Sequence, residues 1–347
     1  MADAPKIAIL GAGSIGCFVG GAWAAAGCEV RFIGRERLRD AITAHGLTVS
    51  DQDAWSVALA PDRVDFQTRP QSIKDADIIA LCVKSRDTER AAKDIARHAK
   101  KGATVISLQN GVANAETLRR ALPRFAVVQG MVPYNVVRIG ETRFHRASWG
   151  DITVASTPTT RALADRIGDR PGRLKLAEDM AAVAWGKLII NLNNAVNALS
   201  GVTILEQLNQ RDYRRVLAAA MIETLDLLDA AAIKPVATGP IPPRLLPHAL
   251  AAPDFVFRNL FLKVQKIDPK ARSSMSDDFA AGRETEVDQL NGEVVKLAQS
   301  LGRQAPVNAA IVNLVKQAEA GIERLWSAAE LRAHVLEKHK GVAGFGY

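Results

Sequence analysis

The sequence predicts an α/β domain of alternating strands and helices followed by an all-helical C-terminal domain. Three observations predict it. Short apolar runs alternate with helical stretches through the first half, a glycine turn joins the first run to a small-residue helix, and beyond Leu174 the β-branched runs give way to helical period. At 347 residues the chain has material for two cores, since a single core stops growing near ~250–300 residues.

The first element is the apolar run KIAIL at residues 6–10, followed directly by Gly11-Ala12-Gly13-Ser14-Ile15-Gly16. A helix of small residues, Cys17 to Ala26, is closed by Gly27, and the β-branched run Glu29–Ile33 comes next. This is strand, turn, helix and strand at the size of one βαβ unit. A lone GxGxxG is weak, but here both flanks that the motif demands are present. Gly11 permits the tight turn, Gly13 lets backbone approach a pyrophosphate, and Gly16 allows helix and strand to pack closely. Ala12, Ser14 and Ile15 complete the loop, whose following helix turns its amino terminus toward the phosphates. The first half therefore reads as a Rossmann-type dinucleotide-binding domain.

The end of the second strand selects the cofactor. An NAD enzyme places an acid there for the ribose hydroxyls; this chain has Gly34-Arg35-Glu36-Arg37. Arg35 suits the 2′-phosphate of NADPH/NADP with its planar donor fork, while Glu36 is an opposing charge beside it. Two further buried-strand runs follow, Asp77–Val83 ending at Lys84 and Ala103–Leu108 ending at Gln109-Asn110-Gly111. Ligands in open α/β sheets sit beyond the carboxyl ends of strands, so Lys84 and Asn110 are site candidates. Phe125–Gln129 and Asp151–Ala155 read as later strands, and the breaker cluster Gly168–Gly172 marks the junction. The expected division is 1–173 for the dinucleotide-binding domain, 174–330 for the helical domain and 331–347 for a tail.

Helical period runs through Leu174–Leu199, Arg211–Ala232, Thr285–Leu301 and Asn308–Ala320, while Pro235–Pro253 holds six prolines and is irregular. The first helix carries Lys187, Asn191, Asn193, Asn194 and Asn197 in an otherwise apolar stretch. Lys187, Asn191 and Asn194 stand at i, i+4 and i+7 and share one face; Asn193 and Asn197 form an offset pair. A solvated helix face mixes Glu, Lys and Gln, so a cation with neutral amides suits a small anionic or carbonyl-bearing ligand instead. A second polar segment, Arg272-Ser273-Ser274-Met275-Ser276-Asp277-Asp278, precedes Gly282-Arg283-Glu284-Thr285-Glu286-Val287-Asp288. On composition alone, Arg283 or Thr285 could simply start a helix with Glu286 as a first-turn acid.

Composition excludes several other classes. The formal charge is +8, but basic and acidic residues are mixed and only 5% of residues are aromatic, so a nucleic-acid surface has little to build on. Three cysteines without a CxxC or Cys/His cluster predict no metal site and the reduced thiols of a cytoplasmic protein. The amino terminus lacks the features of a signal peptide, and the most apolar stretch, Phe18–Gly27, is half the ~20 residues of a membrane span.

Together these motifs resemble the ketopantoate reductase (2-dehydropantoate 2-reductase) family. The resemblance rests on GAGSIG, Gly34-Arg35, Val83-Lys84, Gln109-Asn110-Gly111, Lys187 with Asn191, Arg272-Ser273-Ser274-Met275 with Asp278, and Thr285-Glu286-Val287-Asp288 with Asn291-Gly292, in family order. The Lys-x-x-x-Asn element is also similar to that of the β-hydroxyacid and 6-phosphogluconate dehydrogenases. The resemblance implies an active site in the cleft between the two domains and hydride transfer from NADPH to the 2-keto carbon of a small 2-keto acid, ketopantoate, giving pantoate. It implies Lys187 as general acid, Asn191 and Ser274 as substrate contacts, and Glu286 as a carboxylate near cofactor and ligand. It also implies Lys84 and Asn110 as cofactor contacts, Asn110 reaching substrate too, and Asn135 as a backbone cofactor contact. A homodimer is compatible with this reading. One departure stands out: where familiar members carry a second substrate asparagine, eight residues after the lysine, this chain has Ala195, and Asn194 is the candidate replacement. Reductase of another 2-keto acid or related carbonyl is therefore the alternative, and a non-catalytic NADPH sensor a more distant one that leaves Lys187 and Glu286 without a role.

Overall fold

In the first half, strands whose residues are buried on both faces alternate with helices that cover them. The computed structural model describes residues 4–239, 241–262, 267–322 and 324–337, and the chain divides into two units, Met1–Met180 and Ala181–Tyr347. In chain order the first unit runs β1 (Lys6–Leu10), α1 (Ser14–Ala25), β2 (Glu29–Ile33), α2 (Glu36–His45), β3 (Leu47–Asp51), β4 (Ser56–Leu59) and β5 (Asp65–Gln67). It continues with β6 (Ile78–Leu81), α3 (Thr88–His98), β7 (Thr104–Ser107), α4 (Asn114–Ala121) and β8 (Ala126–Met131). β9 (Val136–Ile139), β10 (Arg143–Arg146), β11 (Ile152–Ala155), α5 (Pro158–Ile167) and β12 (Leu174–Ala177) complete it.

The main sheet has the order β12-β11-β8-β7-β6-β1-β2-β5. It is parallel from β5 to β8, β11 joins β8 antiparallel, and β12 lies parallel to β11. Along β1, Ile7 and Ile9 enter the core shared with α1 and α5, while Ala8 and Leu10 enter the core shared with α3 and α4. A strand covered on both faces reads as a continuous apolar run, which is why KIAIL shows no alternation. The chain adds strands on one side of β1 and then returns to add β6 on the other, so β1 and β6 flank a topological switch point.

A second sheet, β4-β3-β10-β9, pairs β3 with β10 in parallel. It covers the outer side of α1. An added Cβ at Gly20 would strike Ile9 and Phe32 of the main sheet, while one at Gly21 would come within 2.6 Å of Val49 on β3. Adjacent glycines thus let one helix lie against two sheets. That explains why Phe18–Gly27 is the most apolar stretch of the chain: a helix covered all round has no polar face. Arg146 on β10 is buried and closes this sheet on Asp51 at 2.8 Å.

The second unit contains α6 (Met180–Asn191), α7 (Asn193–Ser200), α8 (Ile204–Leu208), α9 (Arg211–Ala230), α10 (Leu246–Ala251) and the single turn α11 (Asp254–Val256). After it come α12 (Ser274–Ala280), α13 (Asn291–Ser300), α14 (Pro306–Glu319) and α15 (Ala328–Arg332). The fully buried Arg214 on α9 donates to the carbonyls of Leu208, Leu250 and Ala252 and pairs with Asp254 at 2.9 Å, tying the proline-rich segment to the central helix.

Three sequence expectations are corrected. Residues 174–177 are not helix: their ladder with β11 makes them the last strand of the main sheet, so the first unit ends at Met180 and not at Arg173. The stretch from Thr285 does not begin a helix, because the Thr285 side chain and amide are engaged with Glu319 and the helix starts at Asn291. The described part of the expected tail, to residue 337, is an integral element. Tyr213 donates to Trp326 O at 2.6 Å, Trp326 N–H donates to Leu199 O, and Leu331 and Val335 are fully buried.

Candidate active site

In the first unit the glycine loop leaves β1 at the switch point. The N–H groups of Gly11 and Ala12 both donate to Ile33 O, at 3.0 and 2.9 Å, tethering the turn to the end of β2. Gly11 has φ +100°, and an added Cβ would lie 2.6 Å from Val83 N; one at Gly16 would lie 2.6 Å from Gly11 O. Both glycines are required by the protein itself. Gly13 is different: its backbone is extended, and a Cβ there would meet nothing within 4 Å. The space at Gly13 is thus left clear by the chain, beside α1, whose first turn has no side-chain cap and no acid. Open backbone N–H groups at a helix start with room for close approach fit the pyrophosphate of a dinucleotide. Ser14 and Ile15 flank this opening, half-buried, and Ala12 lies buried beneath.

Arg35 is the last extended residue before α2 and is exposed. Its acidic neighbour is occupied elsewhere, since Glu36 accepts from Arg39 at 2.9 Å. Lys84, half-buried, stands past the end of β6, and Asn110, exposed, past the end of β7. A hydrogen-bond network not evident from the sequence holds these two loops together. Asn114 Nδ2 donates to Ser85 Oγ and to Asn110 O, Thr88 Oγ1 donates to Asn114 Oδ1, and Gln109 Nε2 donates to Val83 O and Thr88 Oγ1. The Gln109-Asn110-Gly111 run was the signal available for it. The Asn135 backbone N–H donates to Ser148 Oγ and its carbonyl accepts from Ala147 N–H, which ties it to the β9–β10 hairpin.

In the second unit the polar helix sorts itself into two sets. Asn193 Oδ1 accepts from Gln207 Nε2 at 2.6 Å. Asn197 is fully buried, donates to Val202 O and accepts from Ser273 N–H at 2.9 Å. This offset pair is structural. The side-chain amides of Asn191 and Asn194, both half-buried, make no hydrogen bond among the described residues. Asn191 stands one turn after Lys187 on α6 and shares its face, whereas Asn194 lies beyond the break at Leu192, in the first turn of α7, so the expected single helix through residue 199 is two helices. Ala195, fully buried, points instead into the core.

Lys187 is a half-buried residue whose ammonium is pushed down to about 8 from the usual lysine value, chiefly by desolvation and partly offset by the Glu286 carboxylate. A lysine poised near neutrality and next to an acid can deliver a proton. Ser273 caps α12 through Ser276 N–H and donates to Asn194 O at 3.0 Å, tying the start of α12 to the start of α7, and the next residue, Ser274, is exposed. Arg272 and Asp278 are structural: Arg272 donates to Gly201 O and Asp278 accepts from Arg283. Among the described residues no group of acids, histidines and cysteines could hold a metal ion, and no helix is long and apolar enough to cross a membrane.

Comparison with known proteins gives a consistent match across both units. The family model described as ketopantoate reductase PanE/ApbA matches residues 7–159, and that of its C-terminal domain matches residues 179–319. A 2-dehydropantoate 2-reductase of Halobacterium salinarum is 26% identical over 328 residues, covering 90% of this chain and 99% of the relative. The crystal structure of a PanE/ApbA family ketopantoate reductase from Ralstonia eutropha JMP134 superposes with a TM-score of 0.78 at 29% identity, covering 91% of this chain and 99% of that one. A D-mandelate dehydrogenase solved with NADH and anilino(oxo)acetate shares the fold, with a TM-score of 0.75 at 19% identity over 91% of this chain and 99% of that one. With both halves of the family model matched in order over most of its length, the chain belongs to the ketopantoate reductase family.

Proposed function

We propose that the protein reduces 2-dehydropantoate (ketopantoate) to pantoate with NADPH. The observation that carries this reading is Lys187, held near neutrality beside Glu286, with the uncommitted amides of Asn191, one turn on along α6, and of Asn194, at the start of α7. When bound, NADPH supplies the hydride for the 2-keto carbon. The chain's residues do the rest. Negative charge develops on the keto oxygen, and Lys187 Nζ gives it a proton; a positioned acid of this kind contributes roughly 10²–10⁴ in rate. Glu286 keeps Lys187 protonated at neutral pH against the pull of desolvation. Asn191, Asn194 and Ser274 supply neutral hydrogen bonds for the substrate's carboxylate and hydroxyl. The Gly11–Gly16 loop takes the pyrophosphate, Lys84 and Asn110 are cofactor contacts, Asn110 also reaching substrate, and Arg35 takes the 2′-phosphate.

Ala195 favours a second reading, reduction of a different 2-keto acid, because an alanine in the core contributes no hydrogen bond where familiar members have an asparagine. NADPH oxidation measured with ketopantoate against a panel of 2-keto acids separates the two. A preference for ketopantoate supports the first, and turnover confined to other keto acids rejects it.

A further inference from the structure

The carboxyl edge of the main sheet carries a second unpartnered arginine beside Arg35. β2 and β5 run in parallel with Arg31 opposite Asp65, Phe32 opposite Phe66 and Ile33 opposite Gln67. Residues paired this way share a face: Arg31 bonds Asp65 at 2.6 Å, and Phe32 stacks on Phe66 with centroids 6.0 Å apart. Gly34 N–H then donates to Gln67 O at 3.0 Å, holding the two chains together past the last pair. Continued by two residues, the register sets Arg35 opposite Arg69. Both are still extended, at φ −77°, ψ 148° and φ −101°, ψ 131°, and each is the last residue before a helical turn, α2 for Arg35 and Pro70–Ile73 for Arg69.

The neighbouring charges are already spoken for. Arg31 is held by Asp65 and Asp75, Arg39 by Glu36 and Asp40, and Gln67 donates to Asp65. The side chains of Arg35 and Arg69 are exposed and make no ion pair or hydrogen bond among the described residues. Adjacent parallel strands lie ~4.8 Å apart, and like charges set opposite each other repel unless an anion lies between them. A dianionic phosphomonoester resolves that repulsion, and two planar donor forks from neighbouring strands match its oxygens.

We infer that Arg69 is a second guanidinium for the 2′-phosphate of NADPH and, with Arg35, sets the preference for NADPH over NADH. The inference rests on the reading of Arg35 as a 2′-phosphate ligand. Arg69→Ala and Arg35→Ala, each in the full chain, are titrated with NADPH, NADH and 2′,5′-ADP by calorimetry or nucleotide fluorescence. Both substitutions are expected to weaken NADPH and 2′,5′-ADP about ten- to hundredfold, the range for hydrogen bonds to a charged group, with NADH changed less than about twofold. Arg69→Lys, which keeps the charge but not the fork, recovers part of the loss. If Arg35→Ala loses NADPH selectively while Arg69→Ala stays within about twofold of the parent, the role of Arg69 is overturned and that of Arg35 stands. If both variants bind NADPH like the parent, the 2′-phosphate reading of this edge fails with it. Equal loss of NADPH and NADH in Arg69→Ala also overturns the proposal, because it makes Arg69 a contact to a part the two cofactors share.

Discussion

Glu319 accepts two hydrogen bonds from a single residue, the backbone N–H and the hydroxyl of Thr285, both at 2.7 Å. On the other side of Glu286, Asp288 pairs with Lys316, which also pairs with Glu319. The segment carrying Glu286 is thus clamped at both ends by α14, and with it the distance from that carboxylate to Lys187. Glu319→Ala should lower turnover and shift the basic limb of the rate–pH profile to lower pH, because a displaced Glu286 no longer supports the lysine's charge. Glu319→Gln keeps one acceptor oxygen and should retain most of both properties. A loss of turnover in Glu319→Ala with an unmoved profile would make the clamp purely structural.

The sign of the pH dependence follows from Lys187 acting as an acid. Reduction requires the protonated form, so the rate should fall as pH rises through about 8. Glu286→Gln removes a charge that raises the lysine's pKa, and the fall should then begin at lower pH. Lys187→Ala should cut turnover roughly 10²–10⁴-fold and abolish this limb while leaving NADPH binding intact. A variant keeping more than about a tenth of the activity would place proton delivery elsewhere.

Gly13 and Gly16 should respond oppositely to alanine. Gly13→Ala adds a methyl to open space in an extended backbone, so melting temperature should hold or rise slightly, while dinucleotide affinity falls because that space is needed for ligand. Gly16→Ala meets Gly11 O and the Ile9 side chain and should cost about 1–3 kcal/mol of stability. Thermal unfolding with and without cofactor reads both outcomes.

Asn194 is half-buried in the first turn of α7, whereas Ala195 is in the core. Asn194→Ala should raise KM for the true substrate with a smaller change in kcat. An insensitive Asn194 should go with broad keto-acid specificity, since only a site built to bind a hydroxyl rejects its absence strongly. An insensitive Asn194 combined with exclusive use of ketopantoate would put the specificity contact on the Ser273–Ser274 segment.

Leu331 is fully buried although it lies where a loose tail is expected. Leu331→Ala should cost about 2–5 kcal/mol, as for a core leucine, measured by denaturant unfolding. A change under about 0.5 kcal/mol would show that the end of the chain is dispensable.

The legible parts of this molecule were those where local pattern and tertiary role coincide. The glycine turn with its flanks, the runs ending at Lys84 and Asn110, and the Lys187–Asn191 spacing on one helix all rest on short-range pattern, whereas the break at Leu192 that sets Asn194 on the next helix had no such signal. The second sheet did not announce itself, because β4 and β9 are largely exposed and the burial of β3 and β10 depends on distant partners: Arg146 on β10 is buried against Asp51 on β3. Residues 174–177 read as helix because Leu-Lys-Leu-Ala suits either period, and the ladder with β11 decides the matter. The clamp on Glu286 joins residues 34 apart in sequence, beyond the reach of any local pattern. Asn193 and Asn197 looked chemically like Asn191 and Asn194, and only their hydrogen bonds separate framework from site.

The parallel pairing of β3 with β10 has a consequence for how the chain is made. Asp51 and Arg146 are 95 residues apart, so at a synthesis rate of about 5–20 residues per second the ribosome needs roughly 5–20 s to supply the second after the first. Until then β3 has only β4 beside it, and the outer side of α1, where Gly21 meets Val49, is covered by a lone hairpin. The glycine-loop end of the nascent chain thus keeps its most apolar helix only partly covered for several seconds, and that interval is when a chaperone that grips apolar segments has most to hold.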